Sequence, residues 1–460
     1  MAEPLSPSDL SAIQAERGPV HMHVGGLLVL DGRVDRDTVV RRLSERLHLI
    51  PRYTMRLDEA PLGLANPVWV DDESFDVERH VRRAGLPSPG GDAELCEFVG
   101  QLMSERLDRS RPLWQLTVVE GLAHGRSALV ARMHHALVDG VAAVDVGTVI
   151  LAPTPEGLDL PAPEPRAAVE PRRAARVEAL ARLASAQLAM PRKLARSTVS
   201  RALTLDPREA ARQMRSAGEV LAELARVRPT APDTRLNSEI GRERRFAIAR
   251  AGLEEIKAVR RAAGATVNDV LLGAVALMLS RYLGKEAPDH AVALVPVSVR
   301  AESVRGELGN RISTVFVDLP LRGEPLARVR QISTAMNEVK ASAQVRAGAL
   351  IVGATGLAPP AVSSLAVRAM SGPRLFNLVV SNVPGPQQAF YLDGVPVLEV
   401  FPAVPLNPRN QALTIGVVSY DGGVRFGLLA DHDALPDVAE AAAGLEQAVS
   451  ELVTAATASG

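Results

Sequence analysis

From residue 153 to 176 the chain reads PTPEGLDLPAPEPRAAVEPRRAAR, a run of proline, alanine and charge without apolar periodicity. A stretch of this kind has no face to bury and reads as a linker. It therefore dictates that the 460 residues fold as two bodies rather than one, which their length alone also favours. The expected division is a first domain over 1–152, a linker with a basic helical crossover over 153–235, and a second domain over 236–460.

Both flanks carry mixed α/β patterning. Residues 21–30, HMHVGGLLVL, read as a strand, and residues 34–47 as a helix with Val39, Val40, Leu43 and Leu47 on one face. A second helix is expected over 91–107. WQLTVVEGL and SALVARMHH then read as two strands joined by a short turn. Beyond the linker, helices are expected at 253–262 and 266–283, and strands at 291–300, 311–320, 377–383, 412–420 and 424–431. A last helix covers about 435–455. The segment between 177 and 228 reads as basic, alanine-rich helix broken by Pro191 and Pro207.

Composition removes several classes of function. A formal net charge of −1 supplies no field to attract nucleic acid. Cys96, the single cysteine, permits neither an intrachain disulfide nor a multi-cysteine metal site. The opening MAEPLSPSDL lacks the basic and apolar regions of a signal peptide, and no apolar run reaches the roughly 18 residues of a spanning helix. The expectation is a cytoplasmic protein.

Chemistry is suggested at MHHALVDG, residues 133–140, where two of nine histidines stand side by side at a strand exit. As a metal site the stretch is poor, because adjacent side chains at a strand end diverge and no third ligand is nearby. Two readings remain open on residue chemistry alone. One is a buried histidine satisfied by a carboxylate. The other is a general base, since imidazole titrates near the pH of the cell and accepts a proton when neutral. Asp139 is spaced to fix the loop or orient the ring, and Gly140 removes side-chain bulk where a substrate would approach.

HHALVDG matches the HHxxxDG signature of the chloramphenicol acetyltransferase-like superfamily. MHVGGLLVLDG, ERLHLIPRY, PVWVDD, DRSRPLWQL, LNSEIGRERRF, TVNDVLLGAVA, VPVSVR, LGNRIS and SNVPGP, in that order along the chain, narrow the resemblance. Together they resemble the bacterial wax ester synthase/diacylglycerol acyltransferase family. The resemblance implies an α/β (mixed α+β) two-domain fold with an active-site tunnel where the domains meet. It also implies acyl transfer from acyl-CoA, a co-substrate rather than a bound cofactor, to diacylglycerol or a long-chain fatty alcohol. On it, His135 is the catalytic base. No GxSxG elbow is present and Cys96 lies outside every motif, so direct attack without an acyl-enzyme is expected.

The supporting residues carry two readings each. His134 shapes the site or bonds nearby backbone, and the structural reading is the stronger. Asp139 is expected to anchor its loop through a cation, with Arg52 and Arg300 as the candidates. Asn268 is either an oxyanion donor or part of a helix start, for Thr266 and Asp269 form an [ST]xx[DE] pattern. Trp114 reads as packing ahead of substrate contact. Ser381 and Asn382 belong to the SNVPGP turn, which the resemblance assigns to the tunnel or the domain interface. The basic stretch over about 172–203 either packs on its own protein or meets an anionic membrane or lipid-droplet surface. Alternatives to the storage-lipid reading are a non-storage acceptor, a carrier-protein donor, and a non-catalytic acyl-chain binder, the last opposed by the intact HHxxxDG. The sequence gives no oligomeric state.

Overall fold

The computed structural model describes residues 2–16, 18–59, 66–137, 147, 149–157, 231–298, 312–341, 375–406 and 410–458. In chain order the first half holds β1 (Ala2–Pro4), α1 (Pro7–Ala15), β2 (His23–Leu30), α2 (Arg36–Arg46), β3 (Met55–Asp58), β4 (Val68–Asp71), β5 (Val81–Gly85), α3 (Asp92–Ser104), β6 (Trp114–Glu120) and β7 (Ser127–His134). The second half holds β8 (Arg244–Gly252), α4 (Leu253–Ala263), α5 (Val267–Tyr282), β9 (His290–Ser298), β10 (Ile312–Pro320) and α6 (Pro325–Ala341). It continues with β11 (Leu378–Pro384), β12 (Tyr391–Leu392), β13 (Val395–Ala403), β14 (Leu413–Tyr420), β15 (Gly423–Asp431) and α7 (Val438–Ala458).

Every strand and helix expected outside the linker region is present, with ends moved by a few residues. The linker beyond residue 157 and the basic stretch lie outside the described residues. Local chemistry explains the boundaries. Ser6 caps α1 through the Asp9 N–H at 3.1 Å, and Pro7 supplies a preset φ at the first position. Asp35 caps α2 through the Thr38 N–H at 2.8 Å. Gly264, at φ 65°, ends α4 in the left-handed region where a side chain is costly. Helix α5 is buried without interruption from Asp269 to Leu279, which is why its apolar residues surround it rather than form a stripe. Among the described residues no single helix is long and apolar enough to cross a membrane.

Among the described residues there are two six-stranded sheets and one small three-stranded one. The second-half sheet has the order β10-β9-β11-β14-β15-β8, with β11 parallel to both neighbours. The first-half sheet has the order β12-β13-β2-β7-β6-β5. Its edge is therefore made by a hairpin from the second half of the chain. The division at 236 does not describe the sheets, because residues 391–403 complete the sheet of the other body.

That hairpin had a signal in the sequence. Asp393 and Gly394 lie between Leu392 and Val395 with φ of 52° and 82°. Two positive-φ residues closing a two-residue loop make the turn that Asp-Gly favours. Arg41 binds Asp393 at 2.8 Å and Arg42 Nε binds it at 3.0 Å, tying the turn to α2. On the other side, Glu399 of β13 accepts both prongs of Arg250 from β8, at 2.8 and 2.9 Å. Arg250 also reaches Asp92 at the start of α3 at 2.7 Å. One guanidinium thus joins three elements from both halves.

β13 also rests on the second sheet. Gly416 of β14 pairs with Gly427 of β15, and Pro402 lies over the pair. A Cβ on Gly427 would fall 1.9 Å from the Pro402 carbonyl oxygen, and one on Gly416 would fall 2.9 Å from the proline ring. The two bare positions form a notch that lets the crossing strand descend onto the sheet.

Candidate active site

β7 ends at His134, paired with His23 at the start of β2. Past that pair the chain turns over residues 134–137. The His134 carbonyl accepts the Leu137 N–H at 2.8 Å, and the His135 N–H donates to the Met22 carbonyl at 2.7 Å. The turn separates the two histidines by burial: His134 is 1% exposed, whereas His135 is exposed.

His134 Nδ1 accepts the Ala136 N–H at 3.0 Å, and its Nε2 faces Glu16 Oε2 at 3.6 Å, beyond hydrogen-bond distance. Glu16 caps the C-terminal end of α1 and is 4% exposed at its side chain. The same carboxylate lies 3.5 Å from His23 Nε2 and accepts from Arg109 at 2.6 and 3.1 Å. Burial alone would raise the Glu16 pKa. Bonds and charge from His134 and His23, and the Arg109 bond, outweigh it and hold the carboxyl well below its usual range. His21 stacks on His23 at 5.5 Å. Burial first, and then the neighbouring His23, lower its pKa to about 4. His23 is lowered as well, chiefly by burial.

The residue reading of the sequence missed Glu16, His21 and His23. Two histidines two apart in a strand share a face, so HMH at 21–23 was the available signal. Nothing local marked Glu16. Among the described residues no group of three His, Cys, Asp or Glu is placed to hold a metal ion.

In the second half, Thr266 Oγ1 accepts the Asp269 N–H at 3.3 Å, and Asp269 Oδ2 accepts the Thr266 N–H at 2.9 Å. This reciprocal capping box starts α5. The cap is thus made by Thr266 and Asp269, and Asn268 between them meets Asn382 of β11 instead, Nδ2 of Asn382 lying 3.5 Å from Asn268 Oδ1. Ser381, the preceding residue, is in register with Gly416. Trp114 is 2% exposed and donates its indole N–H to the Tyr53 carbonyl at 2.7 Å, inside the first-half core. Arg52 pairs with Asp9 at 3.4 Å and Glu3 at 3.7 Å. Asp139, Gly140 and Arg300 lie outside the described residues.

β13 relates the two groups. Its last residue, Ala403, pairs with Gly25, two residues from His23 and hence from the His134 pair. Pro402 covers Gly416, which is in register with Ser381, next to Asn382. The histidine turn and the asparagine pair therefore flank the C-terminal end of one shared strand. A groove of about 880 Å³ lies elsewhere, between α3, β8 and α7, and none of the candidate site residues lines it.

The chain is similar to known proteins along most of its length. Residues 5–271 match the wax ester synthase/diacylglycerol acyltransferase catalytic domain, and residues 308–453 match the C-terminal domain of that family. A probable diacylglycerol O-acyltransferase of Mycobacterium tuberculosis, tgs1, is 33% identical over 445 residues, covering 94% of this chain and 92% of its own. A second from that organism, tgs2, is 32% identical, covering 97% and 98%. The solved wax ester synthase/diacylglycerol acyltransferase of Marinobacter aquaeolei VT8 superposes with a TM-score of 0.70 at 29% identity, covering 99% of this chain and 100% of its own. The starter condensation domain of rhizomide synthetase, solved with C8-CoA and Leu-SNAC, shares the fold at a TM-score of 0.58 and 13% identity, covering 99% and 94%.

Proposed function

This chain belongs to the wax ester synthase/diacylglycerol acyltransferase family, and on that premise we propose that it transfers a fatty acyl group from acyl-CoA to a hydroxyl. The acceptor is diacylglycerol or a long-chain fatty alcohol, His135 is the general base, and no acyl-enzyme forms. The observation that carries this reading is the division of labour at the turn. His134 is buried and committed to backbone and carboxylate, while His135 is exposed directly beside it.

The chemistry needs little else. A thioester expels a thiol whose pKa is about 8.5, so the leaving group departs with little help. An alcohol is a far weaker acid and must lose its proton as it attacks, which one neutral imidazole achieves. The proton then passes to the departing thiolate, and ester and free CoA are released. Asn268 is the candidate donor to the developing oxyanion, steadied by Asn382. Cys96 is unsuited to nucleophilic attack, because burial first and then Asp92 push its thiol pKa up to about 12. Donor and acceptor are proposed to enter a tunnel from opposite sides of the crossing strand β13, with Asp139 anchoring the histidine loop through an arginine.

Incubation of the purified protein with labelled palmitoyl-CoA and a panel of diacylglycerols, fatty alcohols and amines tests the assignment. Labelled triacylglycerol or wax ester is expected. Acyl-CoA binding without transfer to any hydroxyl acceptor would contradict it.

Acceptors of this kind reside in lipid, so we further propose reversible contact with a membrane or lipid-droplet surface through the basic stretch 172–203. Each basic residue near an anionic surface contributes about 1 kcal/mol, which salt screens. Flotation with anionic vesicles is expected at low salt and reduced when Arg192, Lys193 and Arg196 become glutamate. No flotation at low salt would leave the stretch to intramolecular packing.

A further inference from the structure

Glu16 stands where a carboxylate is costly. It sits at the C-terminal end of α1, where the helix dipole disfavours negative charge, and it is removed from water. Arg109 offsets that cost through a fork on Oε2 at 2.6 and 3.1 Å. His134 Nε2 faces the same Oε2 at 3.6 Å, and His23 Nε2 faces Oε1 at 3.5 Å. A buried ion pair serving stability alone has no need to set its carboxylate against two imidazoles.

The His134 ring has one demand. Its Nδ1 must carry a lone pair to accept the Ala136 N–H at 3.0 Å. In a neutral ring the proton then resides on Nε2, the nitrogen that faces Glu16. The other tautomer would set Nδ1–H against the Ala136 N–H and a bare Nε2 against a carboxylate. Both contacts would be repulsive. The Ala136 bond is one of those that hold residues 134–137, and His135 is carried on that turn.

We propose that Glu16 is a positioning residue, fixing His134 in its Nε2–H tautomer and thereby holding the turn that presents His135. The assignment rests on His135 being the reacting base. Glu16 touches neither substrate nor base and acts through His134. Its nearest analogue is the buried carboxylate of a serine-hydrolase triad, where an amide in its place leaves the geometry intact but selects the wrong tautomer. Here the oriented ring neighbours the base, so the expected loss is the milder one of an outer partner, about 10–100-fold.

E16A is the direct test, since it removes the oxygen that faces Nε2, whereas in E16Q Arg109 would keep an amide oxygen at that position. Long-range ¹⁵N–¹H spectra of histidine-labelled protein report the tautomer, with His134 identified by the signal lost in H134N. The unsubstituted protein is expected to show Nε2 protonated and Nδ1 bare. E16A is expected to populate the Nδ1–H form and to lower kcat about 10–100-fold with the donor KM unchanged. E16D, which keeps the charge, is expected to restore the Nε2–H form and part of the rate. An unchanged tautomer in E16A, or full kcat with the tautomer changed, overturns the assignment. Where E16A fails to fold, E16D decides, because an Nδ1–H signal in it equally overturns the assignment. The spectra need no substrate, so a protein with these signals and no acyl transfer refutes the proposed function alone.

Discussion

His135→Ala is expected to lower acyl transfer by about two orders of magnitude or more, the scale of a general base. The side chain is exposed, while the contact that seats the residue, its N–H to the Met22 carbonyl at 2.7 Å, is made by backbone and survives. The melting temperature should therefore stay near that of the unsubstituted protein. Donor binding, read by titration with acyl-CoA, should persist as well. The loss should fall on kcat, because proton removal matters in the transition state and not in the bound ground state. His134→Ala is expected to behave differently, lowering stability along with rate, since it removes a buried ring bonded to Ala136 and facing Glu16. A folded His135→Ala protein with near-normal turnover would refute the mechanism.

The second large effect is expected at a position with no reactive atom. Gly427→Ala would place a methyl group 1.9 Å from the Pro402 carbonyl oxygen. Neither partner can yield by rotating a side chain, for the obstruction is backbone and the site is closed by β14 and β15. β13 must lift from the second sheet. Overpacking of this kind costs typically 1–3 kcal/mol, and a backbone obstruction belongs at the upper end of about that range. Because β13 also pairs with β2 in the first sheet and ends between the histidine turn and the asparagine pair, activity should fall further than stability. Thermal melts and acyl-transfer assays on the same preparation would show both. Gly26→Ala is the control, since its added Cβ meets only Leu28 Cδ1 at 4.0 Å. Equal melting temperatures for Gly427→Ala and Gly26→Ala would contradict the interlock.

The same geometry accounts for what could be read beforehand. Strands and helices were legible where the apolar period was plain, whereas α1, α6 and the short strands β3, β4 and β5, which also pack within their own half, were not read. Helix α5 was readable from end to end, with the TVND start forming the cap its spelling implied. The HHxxxDG stretch located the turn and named the exposed residue on it. Thr266 and Asp269 were identifiable as a cap because capping involves residues three apart.

Other features depended on distance along the chain. β13 carries Pro396 and Pro402 and alternates weakly, as expected of a strand that is edge to one sheet and lid to another. Only tertiary structure could place it about 370 residues from its partner β2, although Asp393-Gly394 was an unread hairpin signal. Glu16 was invisible for the same reason. Its meaning comes from three side chains at positions 23, 109 and 134, which no local period connects. A sequence records its own faces and caps, because those are fixed by neighbours a few residues away. Which buried carboxylate meets which imidazole is decided by how α1 packs on the β2–β7 pair, and that is settled only when distant segments have folded together.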